Sequence, residues 1–388
     1  MNKVFLIFKR IIFYILIAAA STHCKSGLDK TNAGDSAYKH DFTFNPLPQN
    51  KAAQYTEAIK KFYDSSLASK GFNGAILVAK NGEILFEDYK GYIDFETKDT
   101  ITSTTPFHLA SISKTFTGMA ILKLWEQHKI SLDDSLQKFF PQLPYPGITI
   151  RMLLSHRSGL PNYLYFADTI WNDKQKKFNN EDVLNTMVKH QPPLIDTPGT
   201  HFNYSNTNFV LLALIIEKIS GQPFPQYMKE NVFRPLNMLH TYIFAPADTL
   251  HYIPTYSVTK PFPLDQFDCT FGDKNVYSTA RDLLLWDKAL YQHTFVSKQT
   301  LDTAFTPLSN EKPSMHNYGL AWRLFISNGD TLIYHNGRWH GSNTAFARLV
   351  QDTATIIVLS NKQTRNVYDA KEMGYIFSGR NFLGGLKE

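Results

Sequence analysis

The chain has 388 residues, of which 43% are hydrophobic, 14% aromatic and 19% charged, enough apolar material for a sizeable core. Its net charge is +6, but Lys3, Lys9 and Arg10 supply three of those charges and leave +3 for everything after them. With no basic run, no zinc spacing, no internal repeat and only Cys24 and Cys269 as cysteines, a nucleic-acid binder and a disulfide-stapled fold are both excluded.

Residues 1–24 read as an export signal. A basic start ends at Arg10, and the apolar run from Ile11 to Ala20 is too short to span a bilayer comfortably. Ala18-Ala19-Ala20 fits cleavage by a general signal peptidase. Cys24, close behind the run, fits a lipoprotein, although His23 is large for the position before a lipidated cysteine. We read Cys24 as the lipidation site, which makes the protein periplasmic or attached to an outer membrane, with the lipid as its sole membrane contact. Residues 25–50 are polar, carry Pro46 and Pro48, and read as a linker.

From residue 51 to about 382 the pattern is that of one α+β domain. Ala52 to Ser69 has helical spacing. Ala75–Ala79 and Glu83–Phe86 flank Asn81-Gly82, the strongest short signal for a hairpin. The middle, about 101–254, reads as mainly helical, with a helix opening at Ile150 and another over 206–220 closed by Gly221 and Pro223. Strands return late: Tyr318 to Phe325, Thr331 to Tyr334, Ala345 to Val350 and Thr355 to Leu359, then a closing helix over 369–377. This predicts one antiparallel sheet built from both chain ends (about 51–100 and 255–382), flanked by helices, with a helical insertion and a cleft where the two meet.

Ser-x-x-Lys starts at Ser36, Ser111, Ser135, Ser257 and Ser309. Ser36 lies in the polar leader, Pro261 and Pro313 follow the lysines of the last two, and Ser135 sits in a charged segment resembling an exposed helix start. Ser111 alone opens a long apolar helix, Leu109 to Trp125, where one turn puts Lys114 on its face. A hydroxyl at a helix start beside a lysine in apolar surroundings is a design for nucleophilic catalysis. Two further motifs support it. Tyr204 and Asn206 lie in a loop before a helix, the first suited to proton relay and the second to binding a substrate amide. His335-Asn336-Gly337-Arg338 ends an apolar strand, where a glycine lets a substrate backbone approach and backbone N–H groups can face an oxyanion.

Ser111/Lys114, Tyr204/Asn206 and His335/Gly337, in that order, resemble the three motifs of the serine β-lactamase and penicillin-binding-protein superfamily. The likeness is to its class C branch, which includes D-Ala-D-Ala carboxypeptidases, D-aminopeptidases and esterases. It covers about residues 50–380, including Leu153 to Pro161, Tyr277 to Leu283 and Tyr318 to Trp322. It implies Ser111, Lys114 and Tyr204 as catalytic residues, and Asn206, His335, Gly337 and Arg338 as substrate-binding. It also implies an oxyanion hole from the N–H groups of Ser111 and Arg338. His335 replaces the lysine of β-lactamases proper, as in peptidase and esterase members. Asn336 replaces a threonine that helps hold a substrate carboxylate, a task Arg338 is placed to take over. No Ser-Asp-Asn is present, which disfavours a class A enzyme.

The expectation is an exported serine hydrolase acting through an acyl-enzyme on a D-amino-acid peptide such as those of peptidoglycan, on a β-lactam or on a small ester. The rival is a non-catalytic penicillin- or peptide-binding sensor of the same fold. No cofactor or metal is called for: there is no His-Glu-x-x-His, and His201, His335 and His340 share no ligand spacing.

Overall fold

A computed structural model of the chain describes residues 42–171, 176–245, 252–327 and 329–379. The export signal, Cys24 and most of the linker lie outside them. Seven antiparallel strands make the main sheet: β1 (Gly74–Lys80), β2 (Glu83–Lys90), β3 (His316–Tyr318), β4 (Arg323–Ser327), β5 (Asp330–Trp339), β6 (Ser342–Leu349) and β7 (Ala354–Ser360). Their order is β2-β1-β7-β6-β5-β4-β3, so the N-terminal hairpin is stitched onto the last strand, Gly74 opposite Ser360 and Lys80 opposite Ala354. The sheet is therefore built from both ends of the chain, and the Asn81-Gly82 hairpin forms with both residues at positive φ, 51° and 72°.

Both faces of the sheet are covered. Alternate residues of one strand point to opposite faces, so Ile76 and Val78 pack with Ile59 and Tyr63 of the helix Gln49–Ser66. Leu77 and Ala79 join the larger core under the helical part. At that core's centre lies the helix Ser113–Glu126, apolar nearly all round, crossing the equally buried helix Asn206–Ser220. The second of these ends as expected, with Gly221 left-handed at φ 68°. The stretch after residue 255 also contributes helices, Ala280–Tyr291 and Lys298–Ala304. The first of these is fastened to β6 and β7 by buried Asp287, which pairs with Arg348 and accepts from Thr355.

Two elements differ from expectation. Tyr318 to Phe325 is two short strands joined by a reversal, because Ala321 takes φ 70° and its N–H is used by Leu154 O at 2.9 Å. The closing helix is a 3₁₀ helix, Arg365–Met373, followed by one α-turn, Gly374–Ser378. Three residues per turn stack Val367, Ala370 and Met373 on one face, and these are the residues buried against the sheet.

The sheet also seats the turn that carries Ser111. β5 passes so close to Leu109-Ala110 that a Cβ on Gly337 would lie 2.2 Å from Leu109 O. Glycine is required there by proximity of two backbones, with no unusual φ of its own. From β6, Ser342 Oγ donates to His108 O at 2.5 Å and Thr344 Oγ1 to Leu109 O at 2.8 Å.

Candidate active site

Ser111 lies in a 3₁₀ turn, Ala110–Ile112, that runs directly into the Ser113–Glu126 helix. Ala110 is held left-handed at φ 48°, a conformation that costs a side-chain-bearing residue about 1–2 kcal/mol. The neighbouring His108 holds it: Nδ1 accepts from the Ala110 N–H at 3.2 Å, and Nε2–H therefore donates to Asn275 Oδ1 at 2.9 Å. Ser113 Oγ, accepting from Val276 N–H at 3.0 Å, fixes the start of the helix.

One turn on, Lys114 is fully buried and its Nζ donates to Ser111 Oγ at 3.1 Å and to the backbone carbonyl of Asp273 at 2.7 Å. Both acceptors are uncharged. The Tyr204 ring lies above it, 5.1 Å from Nζ, with the Arg323 guanidinium 5.5 Å from the same ring. Behind Tyr204 stand two buried histidines. His156 lies against it at 4.2 Å between ring centroids, and its Nδ1 accepts from Ser205 N–H at 3.2 Å. His335 donates from Nδ1 to its neighbour's carbonyl, Asn336 O, at 2.8 Å, which leaves Nε2 to accept from Tyr318 OH at 3.3 Å. Burial first, then nearby cations, holds the pKa of both histidines well below the usual imidazole value, so both are neutral. Burial, followed by the neighbouring Tyr204, pushes the Tyr318 phenol well up.

Ser111 opens into a cleft with two halves. One, of about 480 Å³, is lined by Asn206, Asp273, Lys274 and Arg338 with the aromatic residues Tyr165 and Trp339 among its walls. The other, of about 350 Å³, holds Tyr204, Gly337 and three arginines, Arg323, Arg338 and Arg365. The structure thus brings Ser111, Tyr204, Asn206, Gly337 and Arg338 to one cleft, with Lys114 buried behind Ser111. Asn206 is the first residue of its helix rather than part of the loop. His335 lines neither half; it is fully buried and supports Tyr318 from behind. Of the other serines of the repeated tetrapeptide, Ser36 lies outside the described residues, Ser257 and Ser309 line neither half, and Ser135 caps the short helix Leu136–Phe139, accepting from Gln137 N–H.

Sequence reasoning missed Arg323, Arg365, Asp273 and Lys274. Arg323 followed the recognised Tyr318–Trp322 stretch by one position, a usable signal. Arg365 carried none; it is placed because Thr364 N–H donates to Asn343 Oδ1 at 3.0 Å and Tyr368 OH to Gly337 O at 2.9 Å, drawing the segment across β5 and β6. His340 also finds company that spacing did not reveal, its Nε2 3.2 Å from Asp268 Oδ1 and 3.6 Å from Asp265 Oδ2.

The fold and this geometry define a class, and comparison with known proteins agrees. The solved structure of an octameric penicillin-binding protein homologue from Pyrococcus abyssi superposes with a TM-score of 0.73 at 26% identity, covering 84% of this chain and 78% of that one. A model of the Beta-lactamase family matches residues 59–380. The chain belongs to the Beta-lactamase family and is a serine hydrolase of that kind. Among individual relatives, Penicillin-binding protein 4* of Bacillus subtilis (strain 168) is 33% identical over 316 residues, 77% of this chain and 70% of that protein. Protein flp of Staphylococcus aureus (strain MW2) is 29% identical over 310 residues, which span 76% of this chain and 60% of flp. Among the described residues no helix is long and apolar enough to cross a membrane.

The seat of Ser111 is sensitive to acid. Burial, opposed by the bond to Asn275, pushes His108 down from 6.5 to about 4. Between those values the unfolded chain binds a proton that the folded one refuses, so stability is complete above the unfolded value and falls as pH drops towards about 4. His156 and His335 act in the same direction. Urea unfolding from pH ~7 to ~5 is expected to show a falling midpoint. His108→Gln is expected to flatten the dependence by up to about 1.4 kcal/mol per pH unit, one proton's worth.

Proposed function

We propose that this enzyme hydrolyses short D-amino-acid peptides through an acyl-enzyme on Ser111, releasing a product that ends in a carboxylate. Ser111 Oγ attacks the scissile carbonyl while Lys114 and Tyr204 carry its proton away. The oxyanion meets the N–H groups of Ser111 and Arg338. As the carbon–nitrogen bond breaks, Tyr204 delivers a proton to the departing amine, and water then releases the acyl group from Ser111.

The observation that carries the choice of peptide over neutral ester is the half of the cleft beside Tyr204. The leaving group must depart towards the residue that protonates it, and there it meets Arg323, Arg338 and Arg365 with no acidic side chain in the lining. Guanidinium groups match a carboxylate's geometry. They compensate for Asn336, which stands where a carboxylate-binding threonine was expected. Export, with Cys24 as lipid anchor, is part of the same reading and is supported by the basic and apolar character of residues 1–24.

Three outcomes are expected. A fluorophosphonate or labelled penicillin modifies the wild type. Ser111→Ala abolishes labelling, Lys114→Ala and Tyr204→Phe slow it, and the double variant is hardly worse than Lys114→Ala alone, since the residues act as one unit. Continued labelling of Ser111→Ala refutes the assignment, and a wild type that binds peptide without ever acylating is a sensor. Arg365→Ala is expected to raise KM for a dipeptide-terminated substrate about tenfold while leaving its C-terminal amide unaffected; equal effects on both count against carboxylate recognition. Mass spectrometry of the mature N-terminus is expected to find a diacylglyceryl-modified Cys24, and a chain beginning at Ser21 with a free thiol excludes the anchor.

A further inference from the structure

His340 has no part in the chemistry at Ser111, yet the structure surrounds it with acids. It stands at the turn between β5 and β6, and its Nε2 lies 3.2 Å from Asp268 Oδ1 and 3.6 Å from Asp265 Oδ2. The carboxylates come from the segment before Val276–Ser278, so two distant stretches of chain converge here. One donor atom from each of the three residues lies within 4.8 Å of the other two. Tetrahedral zinc, with bonds of about 2.0–2.2 Å, needs its donors roughly 3.3–3.6 Å apart. Both distances from the imidazole nitrogen are close to that spacing.

The carboxylates are held by donors of their own. Asp265 Oδ1 accepts from Phe267 N–H at 2.7 Å, which leaves Oδ2 turned to His340. Asp268, whose side chain is 5% exposed, accepts from Trp339 Nε1 at 2.6 Å and from Asp265 N–H at 2.5 Å. Each ionised oxygen takes two partners, so these bonds leave lone pairs for an ion. Outer donors of this kind fix the orientation of metal ligands. The charge balance also favours a cation, because two carboxylates meet one imidazole. The ammonium of Lys274 is directed elsewhere, to Tyr163 OH at 2.5 Å and to Thr270 Oγ1. Space and access are present as well. A recess of about 10 Å³, room for a single small particle, is lined by Asp268, His340, Trp339 and Asn275, and His340 also faces the cleft half that holds Asn206.

We propose that Asp265 Oδ2, a carboxylate oxygen of Asp268 and His340 Nε2 bind one zinc ion that braces this wall of the cleft. One nitrogen and two oxygens suit zinc better than magnesium or calcium, which take all-oxygen sets. Binding uses the Nε2 lone pair, so the ring keeps its proton on Nδ1 and any Nε2 proton leaves to solvent. The ion ties the 265–268 segment to the turn directly after Arg338. Asn275 carries the tie further: its Nδ2 donates to Asp268 O at 2.6 Å, while its Oδ1 accepts from His108, the residue that holds Ala110. Ser111 and Lys114 take no part, and the inference stands apart from the acyl-serine reading.

The test titrates untagged, chelator-treated enzyme with zinc chloride by calorimetry and follows Tm with and without zinc. The wild type is expected to bind one zinc per chain and to gain Tm as binding to the folded state requires. Trp339→Phe, which removes only an outer donor to Asp268, is expected to weaken binding about tenfold, and Asp265→Asn and His340→Gln about 100-fold or more. The zinc-free Tm of each variant reports whether it folds. His201→Gln, at an exposed histidine 3.5 Å from Asp196, is the control and is expected to bind as the wild type does. Excess magnesium or calcium is expected not to displace the zinc. Absence of saturable binding by the wild type overturns the proposal, as does an affinity that survives both Asp265→Asn and His340→Gln. Neither result bears on fluorophosphonate labelling of Ser111.

Discussion

Ala110 sits in a left-handed conformation that its side chain opposes, and the surroundings leave it no alternative. His108 takes its N–H, while Ser342 and Thr344 hold the carbonyls of His108 and Leu109 on either side of the residue that precedes the turn. The missing Cβ of Gly337 makes room for the whole arrangement. Strain of about 1–2 kcal/mol persists in one place because several independent contacts over-determine it. The return is an orientation: Ser111 leaves the turn facing the cleft and enters the first turn of the helix directly above Lys114. The sheet, the helical part and the small strand pairing of Phe107–His108 with Val276–Ser278 all meet at this point. Displacing any one of them displaces the hydroxyl.

The charges of the site are arranged by exclusion. Lys114 is buried with a hydroxyl and a backbone carbonyl as acceptors, and Arg323 is close by, yet the histidines that pack around Tyr204 remain neutral. Two effects agree here, since burial and the adjacent cations both disfavour imidazolium. Tyr204 therefore lies between cations on one side and uncharged rings on the other. Acidic groups are kept to the far half of the cleft, at Asp273 and beyond.

The overall sheet was legible because its signals are local. Asn81-Gly82 dictates a hairpin, and the apolar runs Ala75–Ala79 and Thr355–Leu359 are bounded by turns. Ser111 and Lys114 were legible because a single helical turn relates them, and Tyr204 because it directly precedes the helix that Gly221 closes. What was hidden depends on distant pairings. Nothing near Arg365 announces that the start of the closing 3₁₀ helix will line the cleft with Ser111, since its place is set by Asn343 and Gly337 on two other strands. His335 carried the opposite error. Its motif placed it at the substrate, whereas its side chain is fully buried against Tyr318, and Asn336, Gly337 and Arg338 line the cleft instead. The reversal at Gly319–Trp322 was missed for a related reason. Apolar residues there bury themselves in a turn against Leu154 and Ala304, a context no periodicity encodes.

Lys114 is gripped by the main-chain oxygen of residue 273, not by that residue's side chain. Every amino acid supplies the same carbonyl, so the anchor of the lysine is indifferent to the identity of the residue providing it. The side chain that lines the Asn206 half of the cleft and the oxygen that steadies the lysine thus belong to one residue but answer to separate constraints. Single substitutions at 273 change that wall of the cleft and its buried pairing with Lys274 and Tyr163, while the carbonyl that Lys114 uses is kept. Divergence at that wall then follows a path along which the lysine keeps its anchor.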